Sequence, residues 1–301
     1  MALVAFDLDN TLGSFDAVGP WGEFFSVEML ENGSNRISLT PTLKSRLRKA
    51  EDMLIEQIKA NKGLFELIFR PNLDALIVPL VKAKRSGKVR AVCMYSNTSC
   101  TFSMYFAKRI IEDRYNCPDF FDCVVDVTHP IRKYDWDQNK IDKIQPLKTF
   151  VGLKRIFRTL CGVTDDIYPA RILFIDDRSV KHHLAQEEKD GLVYLLVTPY
   201  IADISQSLRQ QVYFMGLQVL MDTHMVDYPA YLSSKIFHTD KHALIERNPA
   251  VIDVNGFFNL LALTEKSIMT PWAPATKFKD DTVNIRRVII PFLRLWSKQP
   301  N

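Results

Sequence analysis

Apolar residues fall into two patterns along this chain. Short bounded runs, Ala2-Leu3-Val4-Ala5-Phe6, Val89-Arg90-Ala91-Val92-Cys93-Met94-Tyr95 and Ile172-Leu173-Phe174-Ile175, have the length and character of buried strands. Residues 124–127 predict a further short strand, and residues 192–197 another. Between these runs the apolar positions recur at helical spacing. Thr40 fits an N-cap and Pro41 a first helical position; Leu43, Leu47, Ala50, Leu54 and Ile58 then share one face, with Gly63 as the stop. Residues 72–86 repeat the pattern around Pro79, which should kink or shorten the helix. Helices are also expected over 102–115 and 150–160. Strands alternating with helices imply an α/β fold with a central parallel sheet and right-handed crossovers.

The spacing of these elements sets a domain plan. A core is expected over 1–220, with residues 14–70 inserted after the first strand. That insertion holds one long helix and an aromatic loop bearing Phe15, Trp21, Phe24 and Phe25. The polar stretch 130–143, with Tyr134 and Trp136, reads as a surface loop near the site. Residues 221–301 form a C-terminal extension that prolines break into short pieces, ending in a basic amphipathic helix over 286–296 that Pro291 interrupts. The plain reading of the extension is an appendage packed on the core; the other is a docking element for a protein partner.

Polar residues gather where the strands end. Asp7 and Asp9 follow the first run, Ser96-Asn97-Thr98 the second, and Asp176-Asp177 the third. Carboxylates in a core would be costly, but the carboxyl ends of parallel strands face the crevice where open α/β sheets place ligands. Period-two geometry points Asp7 and Asp9 the same way. Like charges that close call for a cation, and Mg²⁺ with oxygen ligands meets that need.

In order, these features resemble the four motifs of the haloacid dehalogenase (HAD) superfamily of phosphohydrolases. An apolar strand followed by Asp-x-Asp-x-Thr is met by Asp7, Asp9 and Thr11. A strand ending in Ser or Thr is met by Ser96, a Lys at a helix entrance by Lys148, and a strand ending in paired Asp by Asp176 and Asp177. Arg70-Pro71-Asn72-Leu73, with Asn72 in place of Gly, looks like a segment of the capless branch related to RNA polymerase C-terminal-domain phosphatases. The resemblance implies a Rossmannoid three-layer fold and a Mg²⁺-dependent phosphatase. It makes Asp7 the nucleophile and Asp9 the general acid and base. Asp176, with Asp7 and the backbone carbonyl of Asp9, would hold the metal, and Asp177 would complete its shell. Ser96 and the Asn97 backbone would bind a phosphoryl oxygen, and Lys148 would neutralise charge. Asp9 favours phosphoryl chemistry over dehalogenation, because only the former needs an acid for the leaving oxygen. The alternative is a catalytically silent member kept as a structural or interaction protein.

Composition narrows the remaining classes. A length of 301 residues with 47% hydrophobic and 25% charged content suits a globular protein with a sizeable core. The net charge of +4 announces no partner, although basic runs over 36–49 and 82–90 could steer a phosphorylated polymer if they border the cleft. Five cysteines without Cys-x-x-Cys spacing argue against a disulfide framework or zinc module. No cysteine is followed six positions on by Arg, as a Cys-dependent phosphatase requires, and no Gly-x-x-x-x-Gly-Lys-Ser/Thr loop exists. His182-His183 would point apart on a helix and reads as structural. No signal peptide or membrane span is evident, so a soluble intracellular protein is expected, with no membrane partner. Its substrate would be a phosphoprotein, a nucleic-acid terminal phosphate or a small phosphometabolite.

Overall fold

The computed structural model describes residues 1–15, 18, 19, 22, 26, 27, 41–133, 135, 148–178, 191–202, 215 and 278–296. Strands β1 (Ala2–Phe6), β2 (Val89–Tyr95), β3 (Cys123–Val125), β4 (Ile172–Asp176) and β5 (Val193–Leu196) form one all-parallel sheet in the order β3-β2-β1-β4-β5. The chain builds outward from β1 through β2 to β3, then returns to add β4 and β5 on the other side. The order therefore reverses between β1 and β4, and at such a switch point an open α/β sheet leaves a crevice at the carboxyl ends of its strands.

Side-chain alternation along the strands fixes two layers of packing. Val4, Phe6, Met94 and Ile175 enter one apolar cluster, while Leu3, Ala5, Tyr95 and Phe174 enter another on the opposite face. The first takes residues of α1 (Pro41–Ala60), α2 (Lys62–Ile68), α3 (Leu73–Arg85), α4 (Thr101–Arg114) and α6 (Thr282–Leu295). The second takes Leu153, Ile156 and Phe157 of α5 (Phe150–Thr159). The α/β fold thus has three layers, and the described helices of the 14–70 insertion share the main core instead of building one of their own. No helix among the described residues is long and apolar enough to cross a membrane.

Several local expectations need correction. Gly63 does not stop the insertion helix but lies inside α2. The break falls at Asn61, whose extended backbone and side-chain oxygen, accepting from Leu64 N–H at 3.2 Å, cap a second helix. Pro79 and Pro291 each sit inside a continuous helix. An interior proline costs about 3 kcal/mol. Burying Leu76, Ile77, Leu80 and Val81 of α3, at roughly 1.5–3 kcal/mol per large aliphatic side chain, outweighs it. The basic run 82–90 lies at the end of α3 and the start of β2, at the amino edge of the sheet away from the crevice. Lys84 and Arg85 are occupied there, Lys84 by Asp122 and two carbonyls and Arg85 by the carbonyls of Tyr115 and Asn116. The run therefore does not border the crevice.

The last described segment is fastened to the core by polar contacts as well as by Ile285, Ile289 and Phe292. Asp281 accepts hydrogen bonds from Arg70 Nη2 at 2.9 Å, Asn72 Nδ2 at 2.6 Å and Thr198 N–H at 2.5 Å. Buried Arg70 reaches on through Nη1 to the Thr11 carbonyl at 2.8 Å. The Arg-Pro-Asn-Leu segment thus ties α6 to the turn after β1. The aromatics Trp21, Phe24 and Phe25, the basic residue Arg36, His182-His183, most of the 130–143 stretch and residues 221–277 lie outside the described residues.

Candidate active site

β1 ends at Phe6, and register does the rest. Phe6 pairs with Ile175 of β4 and with Met94 of β2, so Asp7 is level with Asp176 and Ser96 lies one residue further along its neighbour. Asp7 continues the side-chain phase of Leu3 and Ala5, and Asp176 that of Ile172 and Phe174, so both face the α5 layer. From that layer comes Lys148, immediately before the Thr149 cap of α5. Its ammonium lies 2.7 Å from Asp7 Oδ1 and 2.9 Å from Asp176 Oδ2, with all three side chains buried.

Asp177 completes the group: carboxylate oxygens of Asp7, Asp176 and Asp177 all lie within 4.8 Å of one another. The Asp9 carboxylate stands outside this cluster. Asp9 is half-buried in the turn after β1, where its backbone bridges Gly13. That turn requires glycine at 13, because a Cβ there would come within 2.3 Å of the Ile68 carbonyl oxygen. Asn10 adopts a left-handed φ of 61° in the same turn. Thr11 closes it onto the end of β4, donating to Asp177 Oδ1 at 3.1 Å and accepting from Asp177 N–H at 3.0 Å.

Electrostatics reveal what the cluster lacks. Three carboxylates and one ammonium leave a formal charge of −2 in a largely buried space. Burial and the neighbouring charges of Asp7 and Asp176 push the Asp177 carboxyl up to about 6. Burial pulls the Lys148 ammonium down, but the charges of Asp7 and Asp176 outweigh it and hold its pKa above the ordinary value. Asp7 Oδ1 is buried and receives no aligned hydrogen bond, so its contact with Lys148 is an ion pair only. A buried, under-neutralised set of hard oxygen donors fits a divalent cation such as Mg²⁺.

A pH dependence follows. Asp177 has a folded-state pKa above its ordinary value, so without metal the fold binds a proton more readily than the unfolded chain. Its contribution to stability grows as pH falls through 6. A cation needs the deprotonated form. Thermal stabilisation by added Mg²⁺ should therefore be full above about pH 7 and shrink as pH drops through 6, as melting curves with and without the ion would register.

Ser96 is buried, its hydroxyl accepting from Thr98 N–H at 3.3 Å. Asn97 follows it in the same loop and offers its side-chain oxygen to Arg132 Nη2 at 2.7 Å. Sequence reasoning missed this arginine and its partner. Arg132 and Asp135 are fully buried and joined at 2.7 Å, where a polar surface loop was expected. Burial is tolerable because each charge neutralises the other and its remaining polar atoms find partners. The signals available in sequence were the i,i+3 spacing of opposite charges and the Thr149 cap before a helix.

No protein-family model and no curated protein matches this chain. Among solved structures, a HAD-superfamily hydrolase of subfamily IA, variant 1, from Geobacter sulfurreducens PCA is similar at 15% identity over 67% of this chain and 90% of that chain. Its TM-score is 0.31.

Proposed function

We propose that the protein is a HAD-type, Mg²⁺-dependent phosphatase that hydrolyses a phosphomonoester through a phosphoryl group carried on Asp7. The observation that carries this reading is the meeting of Asp7, Asp176, Asp177 and Lys148 at the switch point of the sheet, under-neutralised by two charges. Mg²⁺ held by Asp7, Asp176 and Asp177, with the Asp9 carbonyl, would supply Lewis-acid stabilisation of phosphoryl oxygens. Asp7 attacks phosphorus in line, and the phosphorus–oxygen bond to the leaving group breaks as the bond to Asp7 forms. Asp9 gives its proton to the leaving oxygen and then takes one from the water that releases phosphate. Lys148, at 2.7 Å from Asp7, offsets charge on the nucleophile and on the transferring group, while Ser96 and the Asn97 backbone bind a phosphoryl oxygen.

The substrate we propose is a phosphate carried on a chain, either a phosphoprotein or a nucleic-acid terminus. The described part of the 14–70 insertion packs into the main core, which supports a site without a separate cap domain. A capless member of the superfamily, as the Arg70-Pro71-Asn72-Leu73 segment suggests, admits such substrates. Wild-type protein should turn over p-nitrophenyl phosphate with Mg²⁺ and lose that activity with excess chelator. Among natural esters, phosphopeptides or 3′-phosphorylated oligonucleotides should be preferred to sugar phosphates. Preference for a sugar phosphate would refute the open-site reading. Absence of any turnover with Mg²⁺ would favour the catalytically silent interaction protein.

A further inference from the structure

Building on the phosphatase reading, we propose that Arg132 and Asp135 are positioning residues that lock the Ser96-Asn97 loop and the Lys148 end of α5 into one phosphate-binding frame. Arg132 is fully buried, and each arm of its guanidinium is used in a different direction. Nη1 donates to the Ser96 carbonyl at 2.9 Å, Nη2 to Asn97 Oδ1 at 2.7 Å, and Nε to Asp135 Oδ2 at 2.7 Å. Its planar face lies over the Tyr95 ring, 4.3 Å from the centroid. Two consecutive residues of the proposed phosphoryl-binding loop are thus gripped from behind by one rigid fork. Lysine, a point charge on a flexible stem, cannot reproduce that grip.

Asp135 carries the linkage across to the other half of the site. Its Oδ2 also accepts from the Tyr95 hydroxyl at 2.6 Å, and its Oδ1 accepts from Thr149 Oγ1 at 3.2 Å. Thr149 follows Lys148 directly and caps α5 by accepting from Gly152 N–H at 2.9 Å. The frame therefore runs from Ser96 and Asn97 through Arg132, Asp135 and Thr149 to the backbone beside Lys148. It is also tight. A Cβ on Gly152 would lie 2.5 Å from Asp135 Oδ1 and 2.8 Å from Tyr95 Oη, so the approach of α5 to this network demands glycine. Reactive groups misplaced by about 1 Å can lose on the order of 100-fold in rate, so a rigid frame of this kind is where catalytic precision would reside.

Four variants test the inference. Arg132→Lys and Asp135→Asn break the fork, and Gly152→Ala pushes Asp135 away without altering any charge. Arg171→Lys is the structural control: Arg171 is equally buried, but it bonds the Met1 and Asp166 carbonyls at the opposite, amino end of β4. With p-nitrophenyl phosphate and Mg²⁺, the first three should lower kcat/KM by about 10- to 100-fold and raise the inhibition constant of inorganic phosphate by a similar factor. Mg²⁺ affinity should stay within about twofold of wild type, since the carboxylates are untouched. Arg171→Lys should lower the melting temperature while leaving kcat/KM and phosphate affinity per folded molecule unchanged. Where Arg132→Lys does not fold, Gly152→Ala decides. Folded variants that match wild type in kcat/KM and in phosphate inhibition would overturn the inference while leaving the phosphatase reading intact. A wild-type protein that neither turns over the ester nor binds phosphate would overturn both.

Discussion

Replacing Asp7 with Asn should reduce phosphatase turnover by at least about 10⁴-fold while leaving the protein folded. The substitution removes the nucleophile at nearly constant volume, and an amide oxygen is too weak a nucleophile to replace a carboxylate. Folding should survive because Lys148 keeps Asp176 as a partner at 2.9 Å. One of the two charges that raise Asp177 also disappears, so that carboxyl should fall from about 6 toward its ordinary range. Turnover with saturating Mg²⁺, read beside the melting temperature, separates chemistry from folding. Asp9→Asn should behave differently: it retains the nucleophile but slows both formation and hydrolysis of the intermediate, since it removes the proton carrier of each step. Undiminished turnover in Asp7→Asn would place the activity at another site.

The second large effect lies far from the chemistry in sequence. Asp281→Ala should destabilise the protein by about 3–5 kcal/mol, because it leaves the buried Arg70 guanidinium without its carboxylate. Burial already pulls the Arg70 pKa below its ordinary value, with Asp281 as the main group opposing that shift. Asn72 Nδ2 and Thr198 N–H would lose an acceptor in the same step. Denaturant midpoints would register the loss, and a change under about 1 kcal/mol would mean that the clamp is dispensable. Since Arg70 also holds the Thr11 carbonyl, and Thr11 holds Asp177, any activity lost beyond the unfolded fraction would trace this chain of contacts into the site.

Much of the site was legible because it depends on strand ends. Bounded apolar runs at 2–6, 89–95 and 172–175 mark β1, β2 and β4, and adjacency in a parallel sheet then brings Asp7, Ser96 and Asp176 to one edge. What stayed hidden depends on tertiary contacts. Asn61 reads as an ordinary polar helix position until its side chain caps a second helix. Pro79 and Pro291 read as breakers, yet the apolar faces around them hold both helices together. Arg132 and Asp135 look solvated in a polar stretch, and their burial beneath Tyr95 depends on mutual neutralisation and on hydrogen-bond partners brought by the fold. Asp281 sits more than two hundred residues from Arg70, and no local pattern joins them.

A phosphoryl group carried on Asp7 can be caught by trapping the intermediate. Protein turning over a phosphomonoester with Mg²⁺ would be denatured rapidly in acid, and any acyl phosphate reduced with borohydride to homoserine before peptide mass spectrometry. Homoserine is expected at position 7 in wild type, with none formed without substrate and none in Asp7→Asn. Full turnover with Asp7 unmodified, or an acyl phosphate at another carboxylate, would contradict it.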